Sequence, residues 1–294
     1  AKSGQDTPPH VLVMSATPIP RTLALMVYGD LDVSVIDQLP PGRAPVETYV
    51  IHEDKRQRMY AFVRRLVQEG RQAYIICPAV EEGEPDPDTG EPPMDLKAVK
   101  TYAAQLADKV FPDLTVGLLH GKLRPREKAA AMEEFISGRT QVLVSTTVVE
   151  VGVDVPNAAL IIIENAERFG LSQLHQLRGR VGWGKHQSYC VLMTKSRQEE
   201  AMKRLKTLAG TNDGFQIAQA DLEQRGPGDF FGSRQHGLPQ LRLASLTGDM
   251  ELLAQAQQAA CGLLEADPEL IKPENAPVLA RVRALFAETP DIFN

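Results

Sequence analysis

Apolar residues are spaced along the chain in two ways, one typical of strands and one typical of helices. Short runs rich in apolar residues predict seven strands, at Val11–Thr17, Val46–Ile51, Ala73–Pro78, Thr115–His120, Gln141–Thr147, Leu160–Ala166 and Ser188–Met193. Helical spacing of apolar residues predicts helices at Asp54–Gln68, Pro125–Ile136, Leu171–Gly179, Met250–Glu265 and Ala276–Glu288. Because strands alternate with helices, the pattern predicts an α/β fold with a parallel sheet covered on both faces.

Proline, glycine and charge divide this pattern into four parts. LPPGRAPVE, residues 39–47, holds three prolines and a glycine and predicts a boundary. Residues 81–95 hold seven acidic residues and no Lys or Arg, which predicts an exposed loop inside the α/β part. We expect a first part at 1–45, an α/β domain at 46–195, a helical hairpin and loop at 196–240 and C-terminal helices at 241–294.

Composition excludes several classes of protein. No apolar run approaches the roughly 20 residues of a membrane helix, and the first ten residues do not resemble a signal peptide. The three cysteines lie far apart and the histidines lack ligand spacing, so we expect no disulfide framework, no metal site and a reducing, cytoplasmic setting. The net charge of −6 is uneven, because residues 178–206 carry eight Lys or Arg and two Glu, a local +6. This distribution predicts a basic face for DNA and ATP.

The segment STTVVEVGVDVPNA, residues 145–158, offers groups that suit a nucleotide or a phosphate. Thr146 and Thr147 provide hydroxyl and N–H groups, and Gly152 allows close approach of the backbone. Asp154 is able to accept hydrogen bonds from a ribose. The segment follows the carboxyl end of a predicted strand, where α/β sheets bind ligands. An ordinary strand, turn and helix cap would contain the same residues, so the segment alone leaves both interpretations open.

The segment HQLRGRVGWGK, residues 175–185, adds a second site of this kind. Its glycines, Gly179, Gly182 and Gly184, leave Arg180 unobstructed, and a free guanidinium stabilises the charge that develops in phosphoryl transfer. The alternative is a basic surface turn. A Rossmann dinucleotide site fits poorly because the glycines lack the strand-to-helix context, and no Walker A motif occurs in the chain.

Four segments, in order, resemble motifs III to VI of superfamily 2 helicases: MSATPIPRTLA, LLHGKL, STTVVEVGVDVPNA and QLRGRVG. Two more, DLDVSVIDQLPPGRAPV and NDGFQIAQADLEQRGPGDFFGSRQHG, resemble the RecG family within that superfamily. The resemblance implies that 46–195 is the second RecA-like motor domain. It also implies a remnant of the first motor domain before it, then a translocation hairpin and C-terminal helices.

The resemblance also implies a role for each matching residue. Two motif III residues would link nucleotide state to DNA contact: Ser15 and Thr17. Four residues would contact the DNA backbone: His120, Gly121, Thr146 and Thr147. Four residues would contact the nucleotide: Gly152, Asp154, Gln176 and Arg180, the last as the catalytic arginine finger. Three residues would convert hydrolysis into translocation: Arg204, Arg225 and Gln235.

The function implied by the resemblance is ATP-driven translocation on branched double-stranded DNA, at stalled forks and Holliday junctions in bacterial recombination and repair. ATP would bind with Mg²⁺ held by residues of the first motor domain. Without Walker A and DExH motifs, this chain alone is expected to be inactive and to be a C-terminal fragment. We expect a monomer and keep a single-stranded-DNA-binding protein as a candidate partner. The alternatives are a transcription-repair coupling translocase and a non-catalytic DNA-binding fragment.

One position departs from the family pattern GRVGRG. Residue 183 is tryptophan, where the pattern has the second arginine of motif VI. Losing an arginine finger costs on the order of 10³–10⁵ in rate, so we expect the parent enzyme to hydrolyse ATP poorly. Arg178 and Lys185 are candidates to replace the missing arginine. The other explanation is an engineered change or an error in the sequence.

Overall fold

A computed structural model of the protein describes residues 44–78, 96–147, 154–225 and 250–288, with four single positions before residue 44. The acidic segment 81–95 lies outside these residues, as does the predicted strand Val11–Thr17 apart from two single positions. The chain divides between Ile217 and Ala218 into two compact units, each described here by itself. The domain boundaries predicted at 45, 195 and 240 stay predictions.

The first unit contains a sheet of six parallel strands in the order β1-β6-β5-β2-β4-β3. The strands are β1 Glu47–Ile51, β2 Gln72–Ile76, β3 Val116–Leu119, β4 Val142–Ser145, β5 Ala158–Ile163 and β6 Tyr189–Met193. Each one overlaps a predicted strand, and the predicted parallel α/β fold is confirmed. All six residues of β5 are buried, which explains its apolar run.

Eight helices are present in the described residues. They are α1 Arg56–Gln68, α2 Leu96–Gln105, α3 Pro125–Ile136, α4 Leu171–Arg178, α5 Glu199–Gly210, α6 Gly214–Arg225, α7 Met250–Ala266 and α8 Ala276–Glu288. Short 3-10 turns lie at Glu53–Lys55, Ala166–Arg168 and Pro273–Asn275. Helix α2 was not predicted, and it continues into a π-helical turn at Leu106–Val110.

Helix α3 begins and ends where the sequence predicted. Pro125 occupies the first turn, where its missing N–H costs no hydrogen bond. The Glu127 carboxylate accepts the backbone N–H of Arg124 at 2.7 Å, which stabilises the start of the helix. The chain leaves the helix through Gly138, whose φ of 79° is a conformation that favours glycine.

The core lies on both faces of the sheet. Ala73 and Ile75 of β2 belong to a buried cluster that includes Val63 of α1 and Val99 of α2. Tyr74, between them in the strand, instead packs against Phe135 of α3 with ring centroids 4.7 Å apart. Because successive strand residues point to opposite faces, α1 and α2 cover one face and α3 covers the other. Each fully buried large side chain contributes roughly 1.5–3 kcal/mol.

In the second unit, a turn organised by Asp267 joins α7 to α8. Its buried carboxylate accepts the N–H groups of Ile271 and Lys272 at 3.1 and 2.9 Å, and the Asn275 side chain at 2.7 Å. Leu270 in this turn has a φ of 52°, in the left-handed region. None of the helices in the described part of the chain has the length and apolar character needed to span a membrane.

Candidate nucleotide and DNA site

The four residues predicted to contact DNA come together at one edge of the sheet. His120 and Gly121 follow β3, and Thr146 and Thr147 follow β4. These two strands are parallel neighbours, so their carboxyl ends lie side by side. The backbone N–H of Thr146 donates to the carbonyl of Leu119 at 3.2 Å, which joins the two ends directly.

The surroundings of His120 are cationic. Its side chain is buried, and Nδ1 has no hydrogen-bond partner among the described residues. Burial lowers the pKa of His120, and the charges of Lys100 and Lys128 lower it further. The charge of Glu127 opposes this effect in part, and the lysines of α2 and α3 near the ring favour the binding of a phosphate.

Lys100 is a functional candidate that sequence reasoning missed, because helix α2 was not predicted. The signal was present in the spacing of Val99, Ala103 and Leu106, which are buried at helical intervals on one side of the segment. Lys100 is exposed beside Val99 and is brought toward His120 by the packing of α2.

The nucleotide candidates gather near a different part of the sheet. Asp154 is exposed and Arg180 is half-buried. Both charges act on the buried Tyr74 hydroxyl of β2: burial raises the pKa of Tyr74, the Arg180 cation opposes this, and the Asp154 carboxylate adds to it. The charges of Asp154 and Arg180 are therefore both close enough to Tyr74 to affect its pKa. Gln176 is half-buried on α4, while Gly152 lies outside the described residues.

The loop that carries Asp154 and the loop that carries Arg180 approach each other closely. A Cβ atom on Gly184 would lie 2.2 Å from the carbonyl oxygen of Pro156, so only glycine allows this contact. Gly182 has a φ of 90°, which also requires glycine. The glycines of this segment therefore serve loop packing and backbone conformation, whereas the sequence suggested that they leave Arg180 unobstructed.

The start of β5 determines where Asp154 lies. The Val155 carbonyl accepts the N–H of Ala158, the first residue of β5, at 3.0 Å. Asp154 therefore lies beside the amino end of β5, toward the end of the segment that follows β4. The nucleotide candidates and the DNA candidates consequently lie at opposite ends of their strands.

A polar cluster fixes the entry into β5. The Asn157 side chain donates to the carbonyl of Gly70 at 2.7 Å and accepts from Arg71 at 3.0 Å. The Asn157 carbonyl accepts the N–H of Gln72 at 3.0 Å. These bonds attach Asn157, three residues after Asp154, to the start of β2.

Trp183 folds back onto the end of α4. Its Nε1–H donates to the carbonyl of Gly179 at 2.8 Å, and 39% of the residue remains exposed. The indole therefore satisfies a carbonyl at the helix terminus and leaves one face open to solvent. It carries no charge at the position where the family pattern has an arginine.

Arg178 does not replace that arginine. It is buried, and its Nη1 donates to the carbonyls of Leu208 and Thr211 at 2.7 and 2.8 Å, while Nη2 bonds with Nδ1 of His175 at 3.1 Å. Its guanidinium is held by hydrogen bonds to carbonyls at the end of α5. Of the two candidates for compensation, Arg178 is therefore excluded, and Lys185 remains exposed in the loop.

Of the three coupling candidates, one has a described side chain. Nη2 of Arg204, on α5, donates to the carbonyl of Glu167 at 2.6 Å in the turn that follows β5. Arg225 is the last residue of α6, and its side chain is not described. The remaining candidates outside the described residues are Gln235, Ser15 and Thr17.

A Mg²⁺ site needs several oxygen ligands close together. Within the four described ranges, no group of three or more His, Cys, Asp or Glu side chains is arranged to hold a metal ion. Mg²⁺ requires oxygen ligands, commonly one or two carboxylates with phosphates. Asp154 alone supplies one carboxylate, so these residues do not form a Mg²⁺ site.

Comparison with known proteins extends this picture. The helicase conserved C-terminal domain family matches residues 54–184, and the family described as ATP-dependent DNA helicase RecG, domain 3, C-terminal matches residues 211–291. ATP-dependent DNA helicase RecG of Synechocystis sp. is 55% identical over 262 residues, covering 89% of this chain and 31% of that protein. The Bacillus subtilis protein of that name is 49% identical over 273 residues, covering 93% and 39%.

A solved structure of RecG bound to a three-way DNA junction is also similar. It is 47% identical with a TM-score of 0.63, covering 82% of this chain and 30% of that chain. The chain thus spans less than two fifths of the length of these relatives. On its two family matches and on sequence identity along most of its length, the chain belongs to the RecG family of helicases.

Proposed function

We propose that this chain is the C-terminal motor part of an ATP-dependent translocase that acts on branched double-stranded DNA, at stalled forks and Holliday junctions. The observation that carries the proposal is the close approach of the Arg180 loop to the Asp154 loop, at Gly184 and Pro156 beside the amino end of β5. His120 and Thr146, in contrast, follow the carboxyl ends of β3 and β4. The RecG relatives support the choice of chemistry.

The nucleotide site would use three of the described side chains. Arg180 would stabilise negative charge on the phosphoryl group during transfer, since a guanidinium presents planar donors to phosphate oxygens. Asp154 would accept hydrogen bonds from the ribose hydroxyls, and Gln176 would contact the nucleotide from α4. Bound Mg²⁺ would neutralise phosphate charge, and its ligands are expected in the first motor domain.

The DNA site would use the edge formed by His120, Gly121, Thr146 and Thr147. Backbone N–H groups, hydroxyls and nearby lysines are donors that bind phosphates without reading base sequence. Such binding weakens steeply as salt increases, because counterions released from DNA must be replaced. The preference for branched DNA is inferred from the relative solved with a three-way junction.

This chain alone is expected not to hydrolyse ATP, because its 294 residues contain no Walker A and no DExH motif. The proposal therefore concerns the full-length protein that contains these residues. A monomeric state, a cytoplasmic bacterial location and a contact with a single-stranded-DNA-binding protein remain predictions.

The test is hydrolysis of ATP by the full-length protein in the presence of three-way junction DNA. Arg180→Ala is expected to lower the DNA-stimulated rate by about 10³ without loss of junction binding. Arg197→Ala, which changes an exposed arginine outside the loop, is the matched control and is expected to leave the rate unchanged. Equal rates for Arg180→Ala and the unchanged protein would contradict the proposed role.

Trp183 favours one alternative, a non-catalytic DNA-binding protein. That alternative predicts junction binding that does not respond to ATP in the full-length protein. A transcription-repair coupling translocase would be favoured instead if the same gene encoded an RNA-polymerase-binding module upstream. DNA-stimulated hydrolysis together with unwinding of a junction excludes the first alternative, and the upstream sequence decides the second.

A further inference from the structure

We propose that Lys100 and Lys128 form a lysine clamp at the end of β3, in which helices α2 and α3 hold the DNA backbone from opposite faces of the sheet. The inference rests on the proposed function and deepens it, because it adds two contacts to the DNA site that follows β3 and β4. Both lysines lie outside the four segments that resemble helicase motifs. The ligand is the phosphodiester backbone, which each ammonium contacts as a point charge without reading base sequence.

The direction of helix α2 places Lys100 at this edge of the sheet. The helix connects β2 to β3, and these strands are parallel, so it runs back across the sheet and begins at the carboxyl ends of the strands. Val99 is buried in the cluster that contains residues of β2 and β4. Lys100, the next residue, is exposed in the second turn of α2. It therefore lies at the edge that carries His120 and Thr146.

Helix α3 begins at the same edge on the other face of the sheet. It connects β3 to β4, and its Phe135 packs against Tyr74, on the face opposite to the cluster that covers α2. Lys128 is half-buried in the first turn of this helix. The charges of Lys100 and Lys128 both lower the pKa of His120, the residue that follows β3. The two lysines thus lie on either side of the end of β3.

The two lysines are available to an anionic ligand. Neither Lys100 nor Lys128 forms an ion pair in the part of the chain that the structure describes. The nearby Glu127 carboxylate accepts the backbone N–H of Arg124 at 2.7 Å. Nδ1 of the buried His120 also lacks a hydrogen-bond partner among the described residues, and an unsatisfied buried polar atom calls for a water or an ion as its partner.

Charge along this edge of the sheet is uneven. At the end of β5, Glu164 and Glu53 both bond the Arg56 guanidinium, so two carboxylates surround one cation. At the end of β3, Lys100 and Lys128 have no such carboxylate partner among the described residues. Phosphates are therefore attracted to the β3 end of the edge and repelled from the β5 end, which determines where the DNA backbone lies.

The test measures the binding of three-way junction DNA to the full-length protein, without ATP, over a range of salt concentrations. Each phosphate contact contributes about −0.9 to the slope of the logarithm of the association constant against the logarithm of salt concentration. Lys100→Ala is therefore expected to reduce the slope by about one, and the double variant with Lys128→Ala by about two. The affinity of Lys100→Ala at 0.1 M salt should fall about eightfold, and the difference should disappear near 1 M salt.

Lys109→Ala is the matched control, because Lys109 is an exposed lysine near the other end of the same helical segment. It lies roughly 13 Å farther along the segment than Lys100, beyond the Debye length of about 10 Å at 0.1 M salt. Its slope and its affinity should equal those of the unchanged protein. The clamp is overturned if the slope of Lys100→Ala or of Lys128→Ala equals that of Lys109→Ala.

A second measurement uses the unchanged full-length protein and detects the contact directly. Acetylation of lysine amines is followed by mass spectrometry, residue by residue, with and without three-way junction DNA. Bound DNA is expected to slow the modification of Lys100 and Lys128 several-fold and to leave that of Lys109 unchanged. Unchanged modification of Lys100, or equal protection of Lys109, would overturn the clamp.

Failure of the proposed function gives a different result in these experiments. A protein that binds the junction but does not hydrolyse ATP is not a motor, and the salt slopes and acetylation rates still decide the clamp. A protein that does not bind the junction at any salt concentration contradicts both the proposed function and the clamp.

Discussion

Arg56 and Arg178 lie in the same α/β unit, and their positive charges are stabilised in different ways. Arg56, at the start of α1, makes two hydrogen bonds to Glu164 at 2.7 and 2.8 Å and also bonds Glu53. Burial alone would lower the pKa of Arg56, but the hydrogen bonds to these carboxylates raise it overall. Arg178 bonds carbonyls and His175 instead, and burial leaves its pKa lowered.

The two arginines differ in what holds their partners in place. The partners of Arg56 are side chains, and Tyr102 of α2 strengthens the cluster by donating to Glu164 at 2.6 Å. Those groups remain together as long as the domain is folded. The partners of Arg178 are the carbonyls at the end of another helix, so its stabilisation follows the position of that helix. Changes near Arg56 should therefore weaken contacts within the α/β core, whereas changes near Arg178 should weaken the contact between the ends of α4 and α5.

The largest effect is expected for activity, in the turn that follows Arg178. Trp183→Arg restores a second guanidinium and should raise the DNA-stimulated ATPase of the full-length protein by on the order of 10³. The free energy of unfolding should change little, because Trp183 is exposed. Trp183→Phe, which removes the bond to Gly179 and adds no charge, is the control and should produce no rise. A Trp183→Arg protein with the unchanged rate would contradict the expectation.

The next effect concerns stability, at the Arg56 cluster. Glu164→Gln leaves Arg56 largely buried without its main carboxylate, and breaking a buried pair in this way costs about 3–5 kcal/mol. Urea unfolding of the chain measures the loss. Glu53→Gln changes the exposed partner and should cost less than about 1 kcal/mol. Equal losses for the two variants would show that Arg56 is not stabilised mainly by Glu164.

A smaller effect is expected from pH at the Arg178 contact. Burial and the neighbouring Arg178 charge lower the pKa of His175 to about 4, and Asp213 partly opposes this. The unfolded chain binds the extra proton near pH 6.5, so stability is complete above that pH and falls between 6.5 and 4.

Replacing His175 tests this dependence. His175→Gln should remove a loss on the order of 1 kcal/mol at pH 5, since the ring is partly exposed. Urea unfolding at several pH values measures the slope. His186→Gln changes an exposed histidine and should leave the slope as it is. If His175→Gln retains the full slope, the loss comes from other groups.

The smallest effect is expected at Tyr102. Tyr102→Phe removes the hydroxyl that donates to Glu164 but keeps the ring and the Arg56 pair, so the loss should be about 0.5–1 kcal/mol. Hydrolysis of ATP and unwinding by the full-length protein should not change. A loss as large as that of Glu164→Gln would mean that the hydroxyl, rather than the ion pair, stabilises the cluster.

Strong local signals predicted most of the fold. The apolar runs of β4 and β5 and the proline and glycine around α3 determine local structure directly, and these elements were predicted. Helix α2 was missed because the acidic and proline-rich segment before it gives no capping signal. Its sequence, LKAVKTYAAQ, has apolar residues at helical spacing, and Val99 is buried against β2 and α1.

The site was predicted less completely, and Arg178 shows why. The resemblance identified the segments, but the glycines around Arg178 suggested an exposed basic turn. Its guanidinium is buried because residues 30 and 33 positions later, Leu208 and Thr211, end a helix at that point. Neither periodicity nor motif spacing predicts where a distant helix ends in space. Such contacts require the tertiary structure.

The close approach of Gly184 to Pro156 has a consequence for how this loop tolerates change. Any side chain at 184 would collide with a backbone carbonyl that cannot rotate away, whereas the indole at 183 is partly in solvent. Adjacent positions thus differ in the substitutions open to them: 183 accepts arginine, tryptophan or a smaller residue without backbone movement, and 184 accepts none. A mutational scan should therefore find that several residue types are tolerated at position 183 and that only glycine is tolerated at position 184.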